Sequence, residues 1–275
     1  MSKNRNHKLL AELTAAVVAG AGVGVSLYNG NTKLETSFYR IGEEEENFFR
    51  IVQISDLHGA EFGKENAELF AKIRDLNPDL IAVTGDVIYG RNPEIKKAAN
   101  FFEEVVKICP VAFCTGNHEE KFVGTTLDTW LMIFEKLGVD VLDNTGRIYT
   151  KDNMEIYVGG VSDRNLNFGK IIKPETDRFS VLLAHEPQYV EFYAKCGYDM
   201  VITGHAHGGQ IRLPHGNAVV APGQGILPKY TSGKYKAGNT AVYISRGLGK
   251  SLFPFRIFNR PEICVYDIYE KKCGF

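Results

Sequence analysis

Two histidines separated by one alanine form the clearest chemical feature of the sequence, in Thr203-Gly204-His205-Ala206-His207-Gly208-Gly209. The apolar residues 200–202 precede them and predict a β-strand, and a glycine pair follows them. Imidazole is the commonest metal ligand among side chains. The segment therefore predicts a metal-binding loop at the end of a strand.

Four earlier segments carry residues of the same chemical kind. Each places Asp, Asn or His directly after a run of residues typical of a strand. The candidate metal ligands of all five segments are Asp56, His58, Asp86, Asn117, His185, His205 and His207. Carboxylate, amide and imidazole groups without Cys suit Mn, Fe or Zn, and this donor set does not choose among them.

The spacing within two of these segments predicts how they share the metal. Asp56 and His58 lie two residues apart, as do His205 and His207, so an extended backbone would point both members of a pair to one side. The α-carbons of the two histidines would then lie about 6.5 to 7 Å apart. Each pair can therefore offer both of its side chains to one ion, and Asp86 has two oxygens with which it can bridge two ions.

The elements that must position these residues alternate along most of the chain. Apolar patterns predict an edge strand at 34–41 and a hairpin at 148–161 after a turn signal at 144–146. Further strands are predicted at 48–54, 80–84, 111–115, 139–142, 179–184 and 200–202, and helices at 64–76, 93–108, 126–137 and 188–196.

Alternating strands and helices predict a mainly α/β protein. Short strands are predicted at 211–213, 218–221, 240–245 and 263–269, and we expect these closing segments to form a second sheet stacked on the first. In open α/β sheets ligands bind beyond the carboxyl ends of strands, where every candidate ligand lies.

Composition narrows the classes of partner. The 32 Lys and Arg residues are balanced by 33 Asp and Glu residues, so there is no basic excess of the kind that nucleic-acid binders carry. The five cysteines are odd in number and lack C-x-x-C spacing, which excludes a zinc ribbon and a disulfide framework. We therefore expect no nucleic-acid partner, and the sequence does not predict an oligomeric state.

The N-terminal residues 1–33 have a character of their own. Lys3, Arg5 and Lys8 precede the uncharged residues 13–28, a pattern typical of a secretory signal or a short anchor. These 16 residues are fewer than the roughly 20 that span a bilayer, so a peripheral helix is the alternative. If the segment inserts, its positive flank stays cytoplasmic and residues 34–275, expected as one catalytic domain, lie outside the cytoplasm at the membrane.

Five motifs in order resemble those of the calcineurin-like metallophosphoesterases. They are Asp56-x-His58, Gly85-Asp86, Gly116-Asn117-His118-Glu119, His185 and Gly204-His205-x-His207. The resemblance covers residues 48–209 and implies a four-layer α/β-β/α sandwich, in which helices flank two mixed β-sheets. Residues 247–262 are more loosely similar to a membrane-associated bacterial subgroup linked to sugar-lipid phosphoester chemistry.

The resemblance also implies a role for each residue of the site. Asp56, His58 and His207 would hold one divalent ion, Asn117, His185 and His205 a second, and Asp86 would bridge them. Such a pair of ions yields a bridging hydroxide for in-line attack on phosphorus. His118 would lie over the phosphoryl group and stabilise charge or protonate the leaving oxygen. Glu119 is expected to support the site rather than to bind metal.

The predicted function is therefore dinuclear metal-dependent hydrolysis of a phosphomonoester, phosphodiester or pyrophosphate. One candidate substrate is a phosphorylated lipid or a nucleotide-linked lipid such as a UDP-sugar lipid. A nucleotide phosphodiesterase or nuclease is an alternative that the absence of a basic groove disfavours. A catalytically silent metal-binding scaffold is another, and it should lack His118 or one of the ligands, all of which are present.

Four basic residues interrupt an apolar stretch near the end of the chain, SRGLGKSLFPFRIFNRPE. They are Arg246, Lys250, Arg256 and Arg260. The stretch is either a closing strand and loop that pack across the sandwich, or a basic, aromatic lip that receives a phosphorylated lipid head group. In the second case, replacing Arg256 by Ala should impair lipid-like substrates more than a small aryl phosphate.

Overall fold

The computed structural model describes residues 32–43, 47–90, 93–122, 124–167, 171–174, 176–213, 218–251 and 255–269, with six positions between 20 and 28. The strands are β1 (Glu35–Ile41), β2 (Phe48–Ile54), β3 (Leu80–Thr84), β4 (Val111–Cys114), β5 (Val139–Val141), β6 (Thr145–Lys151), β7 (Met154–Gly160), β8 (Phe179–Leu183), β9 (Met200–Thr203), β10 (Val220–Ala221), β11 (Gly225–Ile226), β12 (Gly233–Ala237), β13 (Thr240–Ile244) and β14 (Glu262–Tyr269). The helices are α1 (Ala67–Asp75), α2 (Ile95–Val105), α3 (Thr125–Lys136), α4 (Asp163–Asn167) and α5 (Val190–Tyr193).

Two six-stranded mixed sheets carry the fold. The first has the order β1-β14-β2-β3-β4-β5, and all its neighbours are parallel except β14 and β2. The second has the order β12-β13-β9-β8-β7-β6, with antiparallel pairs only at its two edges. The short strands β10 and β11 form a separate hairpin.

Apolar side chains divide these elements into four layers. Strand β3 shows the division, because Ile81 and Val83 pack with the core under α1 and α2. Its Leu80 and Ala82 instead face the core between the two sheets. A third core joins the outer face of the second sheet to α5 and contains Tyr193. Alternate residues of a strand point to opposite faces, so strands buried on both faces read as continuous apolar runs.

The α/β-β/α sandwich expected from the sequence is confirmed. The strands of the first βα units and the helices α1, α2 and α3 lie within three residues of their predicted bounds. The predicted helix at 188–196 is instead a succession of a 3₁₀ turn, α5 and a second 3₁₀ turn. At 211–213 only isolated bridges occur, and β12 has no counterpart among the predicted strands.

The expectation that the closing segments build the second sheet is wrong in two respects. The second sheet already begins with β6, where Thr145 and Gly146 are strand residues and not a turn. The last strand, β14, lies in the first sheet between β1 and β2 and is buried along its length. Its Ile263 and Val265 lie in the core under the helices and its Cys264 and Tyr266 in the core between the sheets, a burial that the order of elements along the chain does not reveal.

The expected signal or anchor falls almost entirely outside the described residues, since residues 1–19 are not described. Every helix in the described part of the chain is too short or too polar to cross a bilayer. Two expectations therefore stay predictions. They are the division of the chain into an N-terminal segment (1–33) and a catalytic domain (34–275), and the attachment to a membrane.

Candidate metal centre

Five loops converge where the two sheets present the carboxyl ends of their central strands. Three loops follow β2, β3 and β4 of the first sheet, and two follow β8 and β9 of the second. They carry all the candidate ligands: Asp56, His58, Asp86, Asn117, His185, His205 and His207. Because neighbouring parallel strands end at the same edge of a sheet, residues from distant parts of the chain meet there.

The first cluster of ligand atoms joins the loop after β2 to the loop after β9. His58 Nε2 lies 3.0 Å from His207 Nε2. Asp56 Oδ1 lies 3.5 Å from His207 Nε2 and 3.9 Å from His58 Nε2. A carboxylate oxygen and two imidazole nitrogens thus face one small space.

The second cluster is a nearly equilateral triangle of ligand atoms. Asn117 Oδ1 lies 3.2 Å from His185 Nε2 and 3.0 Å from His205 Nδ1. The two imidazole nitrogens are 3.2 Å apart. The histidines of the His205-Ala206-His207 loop therefore belong to different clusters, as the sequence predicts.

Asp86 lies between the two clusters. Its Oδ2 atom is 3.5 Å from His58 Nε2 and 3.2 Å from His185 Nε2. Its Oδ1 atom accepts a hydrogen bond of 2.8 Å from the backbone N–H of His118. One oxygen of this carboxylate therefore faces both clusters while the other is held in place.

The donor set and its spacing fit divalent metal ions. Nitrogen and oxygen ligands lie about 2.0 to 2.2 Å from ions such as zinc, so ligands at right angles are about 3 Å apart. The contacts of 3.0 to 3.2 Å within the second cluster match that separation. Asp, Asn and His side chains are also the donors that such ions accept.

The backbone at the site is not extended, which corrects the expectation drawn from the spacing. Asp56, His58, Asp86, His205 and His207 all adopt positive φ angles, between 49° and 62°. This left-handed conformation costs a residue other than glycine about 1 to 2 kcal/mol. The paired residues converge because the chain turns sharply after each strand. Such strain concentrates at functional sites.

Two glycines let the loops approach each other closely. A Cβ atom on Gly116 would collide with Asp86 Oδ1, and one on Gly204 would collide with Ser55 Oγ. A larger residue at either position would push the loop after β4 or β9 away from its neighbour. The glycines before Asn117 and His205 are therefore needed for the contact between loops, and not only for local turns.

Hydrogen bonds with backbone and side-chain groups outside the clusters orient the ligand side chains. His185 Nδ1 donates to the carbonyl of Thr84 at 2.8 Å, which leaves Nε2 to face the cluster. Asp56 accepts from the Ser55 hydroxyl at 2.6 Å and from the backbone N–H of His205 at 3.0 Å. The contacts of His185 with Thr84 and of His205 with Asp56 join distant segments of the chain, so the position of one ligand depends on another.

Glu119 holds the loops after β3 and β4 together. Its carboxylate accepts hydrogen bonds from the backbone N–H groups of Asp86, Ile88 and Gly116, at 2.8, 3.1 and 2.9 Å. Burial, together with the charge of Asp86, raises the pKa of Glu119 to about 7. This is the supporting role expected from the sequence.

Burial controls the protonation of most of the imidazoles. It lowers the pKa of His58 and of His205 to about 3, and that of His207 well below its usual range. These rings are therefore neutral at neutral pH and can offer a lone pair. Burial also acts to lower the pKa of His185, but the carboxylates of Asp86, Asp56 and Asp163 together outweigh it and the pKa is raised. A cation at that cluster would compete with this proton.

His118 lies at the opening of the site. Its ring packs edge-on against His58, with centroids 4.8 Å apart, and stacks on Tyr89 at 4.9 Å. His118 Nε2 is 3.2 Å from Lys121 Nζ. The imidazole is thus held beside the ligand cluster and partly accessible, which allows it to reach a bound phosphoryl group.

Three supporting residues are not predicted by the sequence. Tyr89 confines His118, Glu186 Oε1 lies 3.7 Å from His205 Nε2, and Arg256 Nη2 lies 3.4 Å from His207 Nδ1. Glu186 follows His185 directly and could have been suspected for that reason. Tyr89 belongs to no motif, and Arg256, although it stands out in the sequence, carries no sign that it lies against His207.

Of the two interpretations of the stretch around Arg256, the basic lip is wrong at this residue. Arg256 is 0% exposed, and its guanidinium donates to the carbonyls of Arg246, Gly247 and Gly249 at 2.6 to 3.1 Å. Arg246 is paired with Glu262 at 3.0 Å. The two arginines hold the loop before β14 in place over Asp56, because a planar guanidinium can donate to several carbonyls at once. This agrees with the interpretation of the stretch as a closing loop.

We expect Arg256→Ala to lower the free energy of unfolding by about 3 kcal/mol, since it removes a fully buried side chain and its hydrogen bonds to the carbonyls of Arg246, Gly247 and Gly249. Hydrolysis of short and of long-chain esters should fall by the same factor. Urea denaturation and paired kinetics measure both effects, and Arg260→Ala at an exposed position of the same loop is the control. Unchanged stability with a loss confined to long-chain esters would contradict the structural role.

Comparisons with known proteins agree with this geometry. The family model for calcineurin-like phosphoesterases matches residues 49–209. The uncharacterized metallophosphoesterase YkuE of Bacillus subtilis is 30% identical over 92% of each chain. The phosphodiesterase YaeI of Escherichia coli is 26% identical over 95% of this chain and 98% of its own. A zebrafish (Danio rerio) transmembrane protein with a metallophosphoesterase domain is 25% identical over 79% of this chain and 52% of its own.

The family match covers more than half of the chain and includes every candidate ligand. Its five motifs occur in order, and the two-sheet sandwich brings them to one edge. The chain therefore belongs to the calcineurin-like phosphoesterase family and is a metal-dependent phosphohydrolase.

Proposed function

We propose that this protein hydrolyses phosphodiesters at a centre for two divalent metal ions. The observation that supports it most is Asp86 Oδ2, which lies 3.5 Å from His58 Nε2 and 3.2 Å from His185 Nε2. An oxygen shared between two clusters of ligand atoms is the arrangement that a bridging carboxylate needs. We assign Asp56, His58 and His207 to one ion, Asn117, His185 and His205 to the other, and Asp86 to both.

The residues of the site then have different roles in the proposed hydrolysis. Two bound ions would supply Lewis acidity, which activates water and neutralises charge on the phosphoryl oxygens. The seven ligand side chains would hold the ions, and Asp86, which faces both clusters, would join the two halves of the site. The hydrogen bond of 2.8 Å from the His118 backbone N–H to Asp86 Oδ1 ties the loop after β4 to this carboxylate.

His118 is assigned to the leaving group. Its ring lies within 4.8 Å of the His58 ring centroid, near the ligand clusters but outside the two triads assigned to metal. Burial lowers the pKa of His118 below its usual value, with Lys121 acting in the same direction. A neutral imidazole that takes up a proton as the substrate anion binds can return it to the departing oxygen.

The proposed class of substrate rests on the balance of charged residues in the chain and on the name of one relative. YaeI is named a phosphodiesterase, which favours a diester over a monoester. The balanced charge of the chain, 32 basic against 33 acidic residues, disfavours a nuclease. We propose an ester whose other substituent is a lipid or a lipid-linked group, for example the nucleotide-linked group of a UDP-sugar lipid.

We further propose attachment to a membrane through residues 1–33, with the catalytic domain outside the cytoplasm. The supporting observations are the basic flank of residues 3–8 and the uncharged residues 13–28. The zebrafish relative is named a transmembrane protein.

Metal analysis and an ester screen together test the proposed reaction. The purified protein should retain close to two equivalents of Mn, Fe or Zn and should hydrolyse aryl phosphodiesters faster than aryl phosphomonoesters or pyrophosphates. Chelation should abolish the activity and Mn²⁺ should restore it, because the histidines and carboxylates alone offer no comparable electrophile. A protein that binds metal but hydrolyses none of these esters would be the silent scaffold instead.

A further inference from the structure

A cleft of about 830 Å³ opens beside the metal centre and runs between α1 and α2. We call it the α1–α2 cleft. His58 and Tyr89 line its inner end, and Ala67, Phe70 and Arg74 line it along α1. Pockets of this volume are of the size that holds a small-molecule ligand. The cleft shares His58 with the proposed metal centre, so a ligand in it would touch both.

The floor and the rim of the cleft differ in chemistry. Leu57, Val87, Ile88 and Phe101 contribute an apolar floor, and each is less than 5% exposed. The rim is charged and is bridged by ion pairs between side chains that are largely exposed, such as Lys97 Nζ with Glu61 Oε1 at 3.1 Å. Exposed pairs of this kind contribute little stability, so they can separate to admit a ligand.

The charges of the lining argue against an anionic ligand. The lining contains five carboxylates and three basic groups. The carboxylates belong to Glu61, Glu65, Glu94, Glu103 and Glu104, and the basic groups to Lys64, Arg74 and Lys97. Lys97 is already paired with Glu61 and Glu94, and Arg74 lies 3.8 Å from Glu104. A polyphosphate or a nucleic-acid strand would meet net negative charge along the whole cleft.

We propose that the α1–α2 cleft binds an elongated, uncharged alkyl or acyl substituent of the phosphoester whose phosphorus lies at the metal centre. This inference rests on the proposed function and names the part of the substrate that the metal centre does not hold. From Ala67 to Arg74 the helix α1 rises about 10 Å, so the cleft accommodates a medium-length chain laid along the floor. The chain would be covered by apolar floor residues on one side and by the stems of rim side chains on the other.

A series of n-alkylphosphonates tests the inference by calorimetry in the presence of Mn²⁺. The phosphonate group cannot be hydrolysed, and its affinity for the metal centre is common to the series. A fully buried methylene strengthens binding by about fourfold. The intact protein should therefore bind octylphosphonate at least about tenfold more tightly than methylphosphonate, since three buried methylenes already exceed that factor.

Two tryptophan variants of α1 locate the chain. Ala67→Trp fills the cleft and should reduce the octyl-to-methyl affinity ratio to about threefold or less. Ala71→Trp is the matched control, because Ala71 is exposed on the same helix but does not line the cleft. It should keep the ratio of the unaltered protein. Methylphosphonate should bind equally to all three proteins, which shows that the metal centre is intact.

The outcomes separate this inference from the proposed function. An equal ratio in Ala67→Trp and Ala71→Trp, or no gain with chain length in the unaltered protein, would overturn the assignment of the cleft. Tighter binding of 8-aminooctylphosphonate than of octylphosphonate would also overturn it, in favour of a cationic substituent. Hydrolysis of methyl p-nitrophenyl phosphate is measured on the same samples. Its absence contradicts the proposed function alone and leaves the affinity ratios interpretable.

Discussion

Asp86→Asn is expected to lower the turnover of an aryl phosphodiester, measured with Mn²⁺ present, by about 10³-fold or more, which corresponds to about 4 kcal/mol. The substitution keeps the shape of the side chain and an oxygen that can accept from the His118 N–H, 2.8 Å away. It removes the negative charge that faces His58 and His185 together. Loss of that charge should weaken both proposed ion sites at once.

Metal content and turnover must be measured on the same samples of Asp86→Asn. Bound metal should fall below that of the unaltered protein, and added Mn²⁺ should restore the activity only in part. Asp128→Asn, at an exposed position of α3, makes the same change of charge away from the site and should retain full activity. Turnover of Asp86→Asn equal to that of Asp128→Asn would contradict the bridging assignment.

His118→Ala should reduce kcat by about 10² to 10⁴-fold, the range that a lost general acid produces. Metal content should stay unchanged, because the assignment places His118 outside both sets of ligands. The backbone N–H that holds Asp86 Oδ1 is retained in this variant. The loss should therefore appear in the chemical step and not in the assembly of the site.

Leaving groups of different basicity separate the possible roles of His118. An ester that releases p-nitrophenolate needs little protonation, so His118→Ala should impair it less than an ester that releases an alkoxide. Equal losses on both esters would assign His118 to charge stabilisation instead. A fall in bound metal would make it a ligand, which its distance also allows, since His118 lies within 4.8 Å of ligand atoms of His58 and Asp86.

The local elements of the fold follow from the sequence because each rests on short-range periodicity. Strand β3 is an uninterrupted apolar run, and the helix after it places its apolar residues on one face. The pairing of strands does not follow in this way. Gln53 of β2 and Cys264 of β14 are partners although they lie 211 residues apart in the chain (264 − 53), and only tertiary packing brings the two strands together.

The lip hypothesis shows a second limit of local patterns. A basic residue among aromatic residues, as at Arg256, reads as a surface that binds phosphate. In the structure three backbone carbonyls of the same loop surround its guanidinium and bury it. The sequence contains no sign of this, because the acceptors are backbone atoms that every residue has.

The sequence by itself determined the identity of the candidate ligands, their order and their places at strand ends. Chemistry of this kind needs particular side chains, and strand ends are marked by apolar runs and glycines that any reader of the chain can locate. The resemblance of its motifs also predicts different ions for His205 and His207, an assignment that stays a prediction, and the extended backbone expected there is replaced by positive φ angles at both residues.

Only the tertiary structure decided which atoms share a space. His58 and His207 are 149 residues apart in the chain, yet their Nε2 atoms lie 3.0 Å apart. The position of Asp86 Oδ2 between two clusters, the support from Glu119 and the α1–α2 cleft likewise depend on how loops pack against each other. Such contacts arise from the packing of two sheets and their helices, a property of the whole fold that no local stretch of residues encodes.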